Sequence, residues 1–244
     1  MIKPYFSVII PALNEEKYIG KILNSLSIQT FRDFEVIVVD ANSSDKTVDK
    51  VNKFKNKFLL NILHTKKHNL SFSRNLGAKN ALGKYIFFID ADNTIPENFL
   101  EIVTRHIKNT KVNLVIPKLR PQKERFWDPL IYSFSTFLIK LFLNTPRSFS
   151  TGGNVIIETL FFNKTKGYNE KIFVGEDHDM VRQIFEKKGR MTLLTDTYVL
   201  FSMRRFEKEG ILTYLKFGFA FCYLIIFRKL ERRLYNYQMG GDNF

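Results

Sequence analysis

Lys84-Tyr85-Ile86-Phe87-Phe88-Ile89 is, after its lysine, an apolar run without alternation, and it ends directly in Asp90-Ala91-Asp92-Asn93. A strand with one face in water alternates apolar and polar residues. A strand that does not alternate is covered on both faces, as in the middle of an α/β sheet. Two carboxylates one residue apart therefore stand at the carboxyl end of a central strand, where open α/β sheets bind their ligands. Their hard oxygens, facing a crevice, suit a divalent cation that also bridges phosphate oxygens. A bare Asp-x-Asp elsewhere would be a polar turn; the strand in front of it changes its meaning.

The first half of the chain repeats this logic. Residues 6–10 predict a strand stopped by Pro11, and Asn14-Glu15-Glu16 then opens a helix with Ile19, Ile22, Leu23 and Leu26 on one face. Residues 34–39 predict a second strand ending at Asp40, followed by the turn Asn42-Ser43-Ser44-Asp45 and a helix carrying Val48, Val51 and Phe54. A strand over 59–63, a helix over 71–82 closed by Gly83, a helix from Pro96 to His106 and a strand over 112–116 ended by Pro117 follow. Strand and helix alternate at βαβ spacing, which predicts an α/β fold with a mostly parallel, doubly wound sheet and right-handed crossovers.

The pattern then changes. Residues 118–125 are basic and turn-rich, and Asp128-Pro129 opens a helix rich in aromatic and aliphatic residues. A short strand over 155–157, a helix from Gly175 to Lys188 and two strands over 191–194 and 198–201 follow. Residues 211–227 are almost wholly apolar, interrupted by Lys216 and followed by Arg228, Lys229, Arg232 and Arg233. No internal repeat and no Gly/Ser linker is present. The expected division is a catalytic domain over 1–205 and an apolar or amphipathic helical extension over 206–244.

The formal net charge of +14 points to phosphate-bearing partners, whether nucleotide, anionic membrane or nucleic acid. A single cysteine, Cys222, excludes an internal disulfide framework and fits a reducing compartment. The first residues lead straight into a strand, so no signal peptide is expected there.

Several groups border the expected crevice. Asp40 ends the strand beside the one before Asp90. It is placed to accept from a nucleobase N–H or a ribose hydroxyl, or to cap the next helix. Pro11-Ala12-Leu13-Asn14-Glu15 closes the same rim. Arg74 precedes the Asp-x-Asp strand on a helix; it either clamps a diphosphate with its planar fork or is an exposed surface arginine. Gly77, one turn on, permits close helix–sheet packing. Glu176-Asp177-His178-Asp179 opens a helix. The dipole favours acids there, but three in four residues exceed what capping needs, and one held over the crevice is a candidate general base.

Taken in order, Val8-Ile9-Ile10-Pro11-Ala12-Leu13-Asn14-Glu15-Glu16, Val38-Val39-Asp40-Ala41-Asn42-Ser43-Ser44-Asp45, Arg74-Asn75-Leu76-Gly77-Ala78, the Asp90-Ala91-Asp92 strand, Gly152-Gly153-Asn154 and Gly175-Glu176-Asp177 resemble a family 2 glycosyltransferase with the GT-A fold. Each motif is weak alone; the ordered set, spanning about residues 5–190, is specific. The resemblance implies inverting transfer from a nucleotide-diphosphate sugar of UDP or GDP type, with Mg2+ or Mn2+ as cofactor. Asp40 would contact the base, and Pro11, Ala12, Asn14 and Glu15 would hold the nucleoside. Asp90 would lie near ribose and metal, with Ala91 beside it in the nucleotide site, and Asp92 would ligate the metal. Asp177 would be the base, with Glu176 beside it. Gly152 and Gly153 would let the backbone approach donor sugar or acceptor. Apart from the resemblance, Arg204-Arg205, following a strand, offers a contact for diphosphate or a lipid phosphate. The Gln-x-x-Arg-Trp signature of processive synthases is missing; the single tryptophan, Trp127, lies far upstream. A non-processive enzyme is expected.

An apolar stretch with basic flanks fits the cytoplasmic surface of an anionic cell membrane, and so a lipid-linked or membrane-proximal glycan acceptor. The same stretch could instead complete the core or form a homodimer interface, with a soluble acceptor. Two other classes fit less well. A nucleotidyltransferase needs a Gly-rich phosphate loop where this chain has Ala-Leu-Asn-Glu. A nucleic-acid binder would not set acids at successive strand ends, where they repel phosphate.

Overall fold

The computed structural model describes residues 3–123, 128–150, 152–172, 175–204 and 207. Seven strands form one sheet: β1 (Phe6–Ala12), β2 (Phe34–Asp40), β3 (Leu59–His64), β4 (Tyr85–Phe88), β5 (Leu114–Pro121), β6 (Val155–Glu158) and β7 (Met191–Phe201). Their spatial order is β3-β2-β1-β4-β6-β5-β7. β3, β2, β1 and β4 pair in parallel, as do β5 and β7; β6 alone is antiparallel to its neighbours. The fold class expected from the alternation, an α/β mostly parallel sheet flanked by helices, is the one observed.

Burial follows from strand position. Every residue of β1, β2 and β4 is buried, whereas edge strand β3 alternates between exposed and half-buried positions. Helices α1 (Ile19–Ser27), α2 (Thr47–Asn52) and α4 (Phe99–Thr110) cover one face, where Ile22, Leu23, Val51, Phe99 and Val103 join Val8, Ile10 and Phe87. Helices α3 (Leu70–Lys79), α5 (Asp128–Phe142), α6 (Thr159–Phe162) and α7 (Glu176–Glu186) cover the other, where Ala78, Ile139, Phe161 and Met180 meet Ile9, Ile37 and Phe88. Gly77 lets α3 lie close to the sheet, because a Cβ there would run into Ile9 Cγ2.

Several boundaries differ from the sequence reading. Pro11 does not stop β1. Pairing with β4 ends at Ile9, so the missing N–H of Pro11 falls on an edge where no strand would accept it. Asn14 does not open a helix: its φ of 53° turns the chain, and α1 begins at Ile19. α3 ends at Lys79, short of Leu82, and α4 begins at Phe99, after Pro96. Pro117 does not end β5, which continues to Pro121 through a register shift after Pro117. That shift also lets β7 run as one strand where two were expected. α6 escaped the sequence reading altogether; it is a single turn without helical periodicity.

The apolar stretch 211–227 and its basic flank lie outside the described residues. Among the described residues no helix is long and apolar enough to cross a membrane. α5 carries an exposed apolar stripe, Leu130, Phe134, Phe137 and Leu141, spaced to fall on one face of the helix.

Candidate active site

The carboxyl ends of β1, β2 and β4 form one rim. Ala12 and Asp40 are register partners at the ends of β1 and β2. Asp40 is 3% exposed; it accepts from Ser43 N–H at 3.3 Å and faces His64 Nδ1, also at 3.3 Å. It thus closes the turn after β2 and caps no helix, since α2 begins only at Thr47. The loop after β1 is laced to the loop after β2. Asn14 N–H donates to Ser43 Oγ at 2.9 Å, Asn14 Oδ1 accepts from Ser44 N–H at 2.8 Å, and Glu15 N–H donates to Thr47 Oγ1 at 2.8 Å. Pro11, Ala12, Asn14, Glu15 and Asp40 therefore do share one rim.

The Asp-x-Asp segment is pinned by side-chain hydrogen bonds from neighbouring strands and loops. Asn93 Nδ2 donates to Asn154 Oδ1 at 2.8 Å, Ser202 N–H donates to Asn93 Oδ1 at 3.2 Å, and Gln122 Nε2 donates to the Asp92 carbonyl at 2.9 Å. The Asp90 side chain is 36% exposed, open to the crevice, while Ala91 between the acids is buried.

Arg74 is not an exposed surface arginine but 1% exposed, with Nη2 donating to Asp90 Oδ1 at 2.9 Å and Nη1 to Glu176 Oε1 at 2.7 Å. The reason is local. Its guanidinium lies against the backbone of Gly153 and 5.2 Å from the ring centroid of Tyr168. The room that Gly153 was expected to leave for substrate is filled by Arg74. Gly152, at φ 75°, makes the turn before it.

Asp177 and Glu176 lie in the first turn of α7, after Gly175 at φ 87°. Asp177 is 6% exposed and accepts from Ser150 Oγ at 3.0 Å; Ser150 N–H donates to His178 Nδ1 at 3.3 Å. Asp179 is held by its own helix, through Gln183 Nε2 at 2.9 Å and Arg182 at 3.6 Å. Burial and the neighbouring Asp177 charge push the Glu176 carboxyl above the usual range, against the pull of Arg74. Burial also raises the Tyr168 phenol, a hydroxyl without a hydrogen-bond partner. Ser150 and Tyr168 were missed, though the proximity of Ser150 to Gly152-Gly153 was a usable signal.

Arg204, just beyond β7, binds Glu15 through both Nη groups, at 2.8 and 2.9 Å. Its Nε lies 3.0 Å from Asp92 Oδ2, an ion pair whose N–H is not aimed at the oxygen. Among the described residues no cluster of three or more His, Cys, Asp and Glu side chains is arranged to hold a metal. Two adjacent carboxylates suffice for Mg2+ or Mn2+ when substrate phosphates complete the shell, so Asp90 and Asp92 fit such an ion in chemistry.

A mostly parallel sheet with acids at its carboxyl rim, crossed by one antiparallel strand, has the GT-A architecture. The chain belongs to glycosyl transferase family 2, whose model matches residues 7–166. It is 28% identical over 205 residues to the poly(ribitol-phosphate) beta-N-acetylglucosaminyltransferase TarS of Staphylococcus aureus, covering 82% of this chain and 36% of that protein. It is 28% identical over 207 residues to the minor teichoic acid biosynthesis protein GgaB of Bacillus subtilis, covering 82% and 23%. The chain thus spans about a third or less of the length of these relatives. The structure of S. aureus TarS 1–349 with UDP-GlcNAc superposes with a TM-score of 0.65 at 25% identity, over 79% of this chain and 57% of that one. The mannosyltransferase PcManGT of Pyrobaculum calidifontis, with GDP-Man and Mn2+, shares the fold at a TM-score of 0.69 and 19% identity, over 82% and 57%.

Proposed function

We propose that the chain is a metal-dependent, inverting, non-processive glycosyltransferase. It moves a sugar from a UDP- or GDP-linked donor to a lipid-linked or membrane-proximal acceptor at the cytoplasmic face of the cell membrane. The observation that carries this reading is the single rim: Asp40, Asp90 and Asp92 at strand exits, joined through Arg74 and Glu176 to the buried Asp177. The donors named with TarS and PcManGT, UDP-GlcNAc and GDP-Man, support a nucleotide-sugar donor.

Asp40 accepts from the base and the rim of residues 11–15 holds the nucleoside. Asp92, with Asp90 beside it, would hold Mg2+ or Mn2+, which when bound offsets charge on the leaving diphosphate. Asp177 is oriented by Ser150 and takes the proton of the acceptor hydroxyl as its oxygen attacks the anomeric carbon. The new C–O bond forms on the face opposite the breaking one, whose electron pair leaves with the diphosphate. Arg74 holds the two halves of the site together through Asp90 and Glu176. The net charge of +14 suits an anionic acceptor or membrane, and TarS by its name acts on a poly(ribitol-phosphate).

Thermal-shift screening of nucleoside diphosphates with and without Mn2+ tests the donor, with Asp92→Asn as control. Mn2+-dependent stabilisation by UDP or GDP that disappears in Asp92→Asn is expected. Equal stabilisation in both proteins would sink the metal role.

A further inference from the structure

The guanidinium of Arg204 bridges the two halves of the donor rim. It grips Glu15, on the nucleoside side, with two aimed hydrogen bonds at 2.8 and 2.9 Å. It meets Asp92, the cation-holding carboxylate of the preceding reading, by charge alone at 3.0 Å. The side chain is 16% exposed and lies 4.9 Å from the ring of Tyr18, a face that favours a cation. A fixed positive charge therefore stands where a divalent ion must approach Asp92.

We propose that Arg204 is a positioning residue that makes the donor's diphosphate and the metal bind as a coupled pair. This rests on Asp92 as the cation-holding carboxylate. A metal ion arriving alone meets like charge, and Asp92 is already partly neutralised. A diphosphate offers the guanidinium a second anion that matches its fork. Arg204 turning toward it loosens its own hold on Asp92, the unaimed contact, and keeps its charge within the rim. Diphosphate thereby strengthens metal binding, and metal strengthens diphosphate binding by the same factor.

The test is calorimetry of Mn2+ alone, without nucleotide, on three proteins. Arg204→Gln removes the competing charge and is expected to tighten Mn2+ binding at least about fivefold, the low end of ordinary coupling. Glu15→Gln removes the rival carboxylate, leaves Arg204 to Asp92, and is expected to weaken Mn2+ binding. Both variants lose the Arg204–Glu15 pair, so a merely structural effect would move them the same way. Shifts of the same sign, or none in Arg204→Gln, would overturn the proposal. Asp92→Asn tests the underlying reading separately. If it leaves Mn2+ affinity unchanged at saturating UDP and GDP, the ion does not sit at Asp92, and the coupling falls with it.

Discussion

Gly153 and Arg74 share one space: the guanidinium lies where a side chain on residue 153 would begin. A glycine 79 positions downstream thus decides where a buried arginine can rest, and that arginine binds Asp90 on one side and Glu176 on the other.

Gly153→Ala should therefore displace Arg74. Overpacking a full site costs about 1–3 kcal/mol, and an unpaired buried ion adds to it, so a loss of at least about 2 kcal/mol is expected. Urea denaturation reads this directly; a variant with the parent midpoint would show that Arg74 has somewhere else to go.

Asp177→Asn should retain nucleotide affinity and lose transfer by about two to four orders of magnitude, since a base acts on the acceptor proton and not on donor binding. Asp179→Asn should stay active, because Asp179 is tied to Gln183 and Arg182. An inactive Asp179→Asn beside an active Asp177→Asn would assign the base to the other carboxylate.

Glu176 makes stability depend on pH. Its folded pKa is raised above the ordinary 4.5 by burial and by Asp177. Such a group contributes stability that is fully present below the unfolded value and is lost as pH rises through the folded one. Unfolding free energy should therefore decline from pH 4.5 upward on account of this residue, and Glu176→Gln should flatten that decline. Denaturation curves at a series of pH values give the two slopes; equal slopes would place the titration elsewhere.

The membrane reading makes a prediction for α5 as well as for the segment after residue 207. Full-length protein should sediment with anionic vesicles at low salt, because exposed basic residues near such a surface contribute about 1 kcal/mol each. Phe134→Ser with Phe137→Ser, in the exposed stripe, should weaken that binding without changing nucleotide affinity. Removal of residues 211–244 should leave a folded, nucleotide-binding protein that no longer sediments. Aggregation of the truncated chain would favour the core or dimer alternative.

The strands were legible where burial is two-sided, since β1, β2 and β4 are dominated by apolar residues that do not alternate with polar ones. The acids at their ends followed from position alone. Element ends were not legible where proline was read as a stop: Pro11 and Pro117 sit inside strands because no neighbour needs their missing N–H or because the register shifts there. The site's internal wiring was hidden for another reason. The Arg204–Glu15 pair joins residues 189 apart, and the Asn93–Asn154 bond joins residues 61 apart, distances over which spacing carries no signal. The burial of Arg74 was not legible, because nothing in its own helix shows that Gly153 makes room for it.

β6 runs against its neighbours, and this has an architectural result. In a wholly parallel sheet the ligand rim receives only chain that is leaving a strand. Here one strand starts at that rim, so the segment 143–154 descends into the site from outside and delivers Ser150 and Gly153 on the way in. The carboxyl ends of β1, β2 and β4 are in place before α5 begins, and Arg204 joins that rim from beyond β7. At its two ends the stretch between β5 and β6 is tied to the nucleotide-facing strands, through Gln122 to Asp92 and through Gly153 and Asn154 to Arg74 and Asn93.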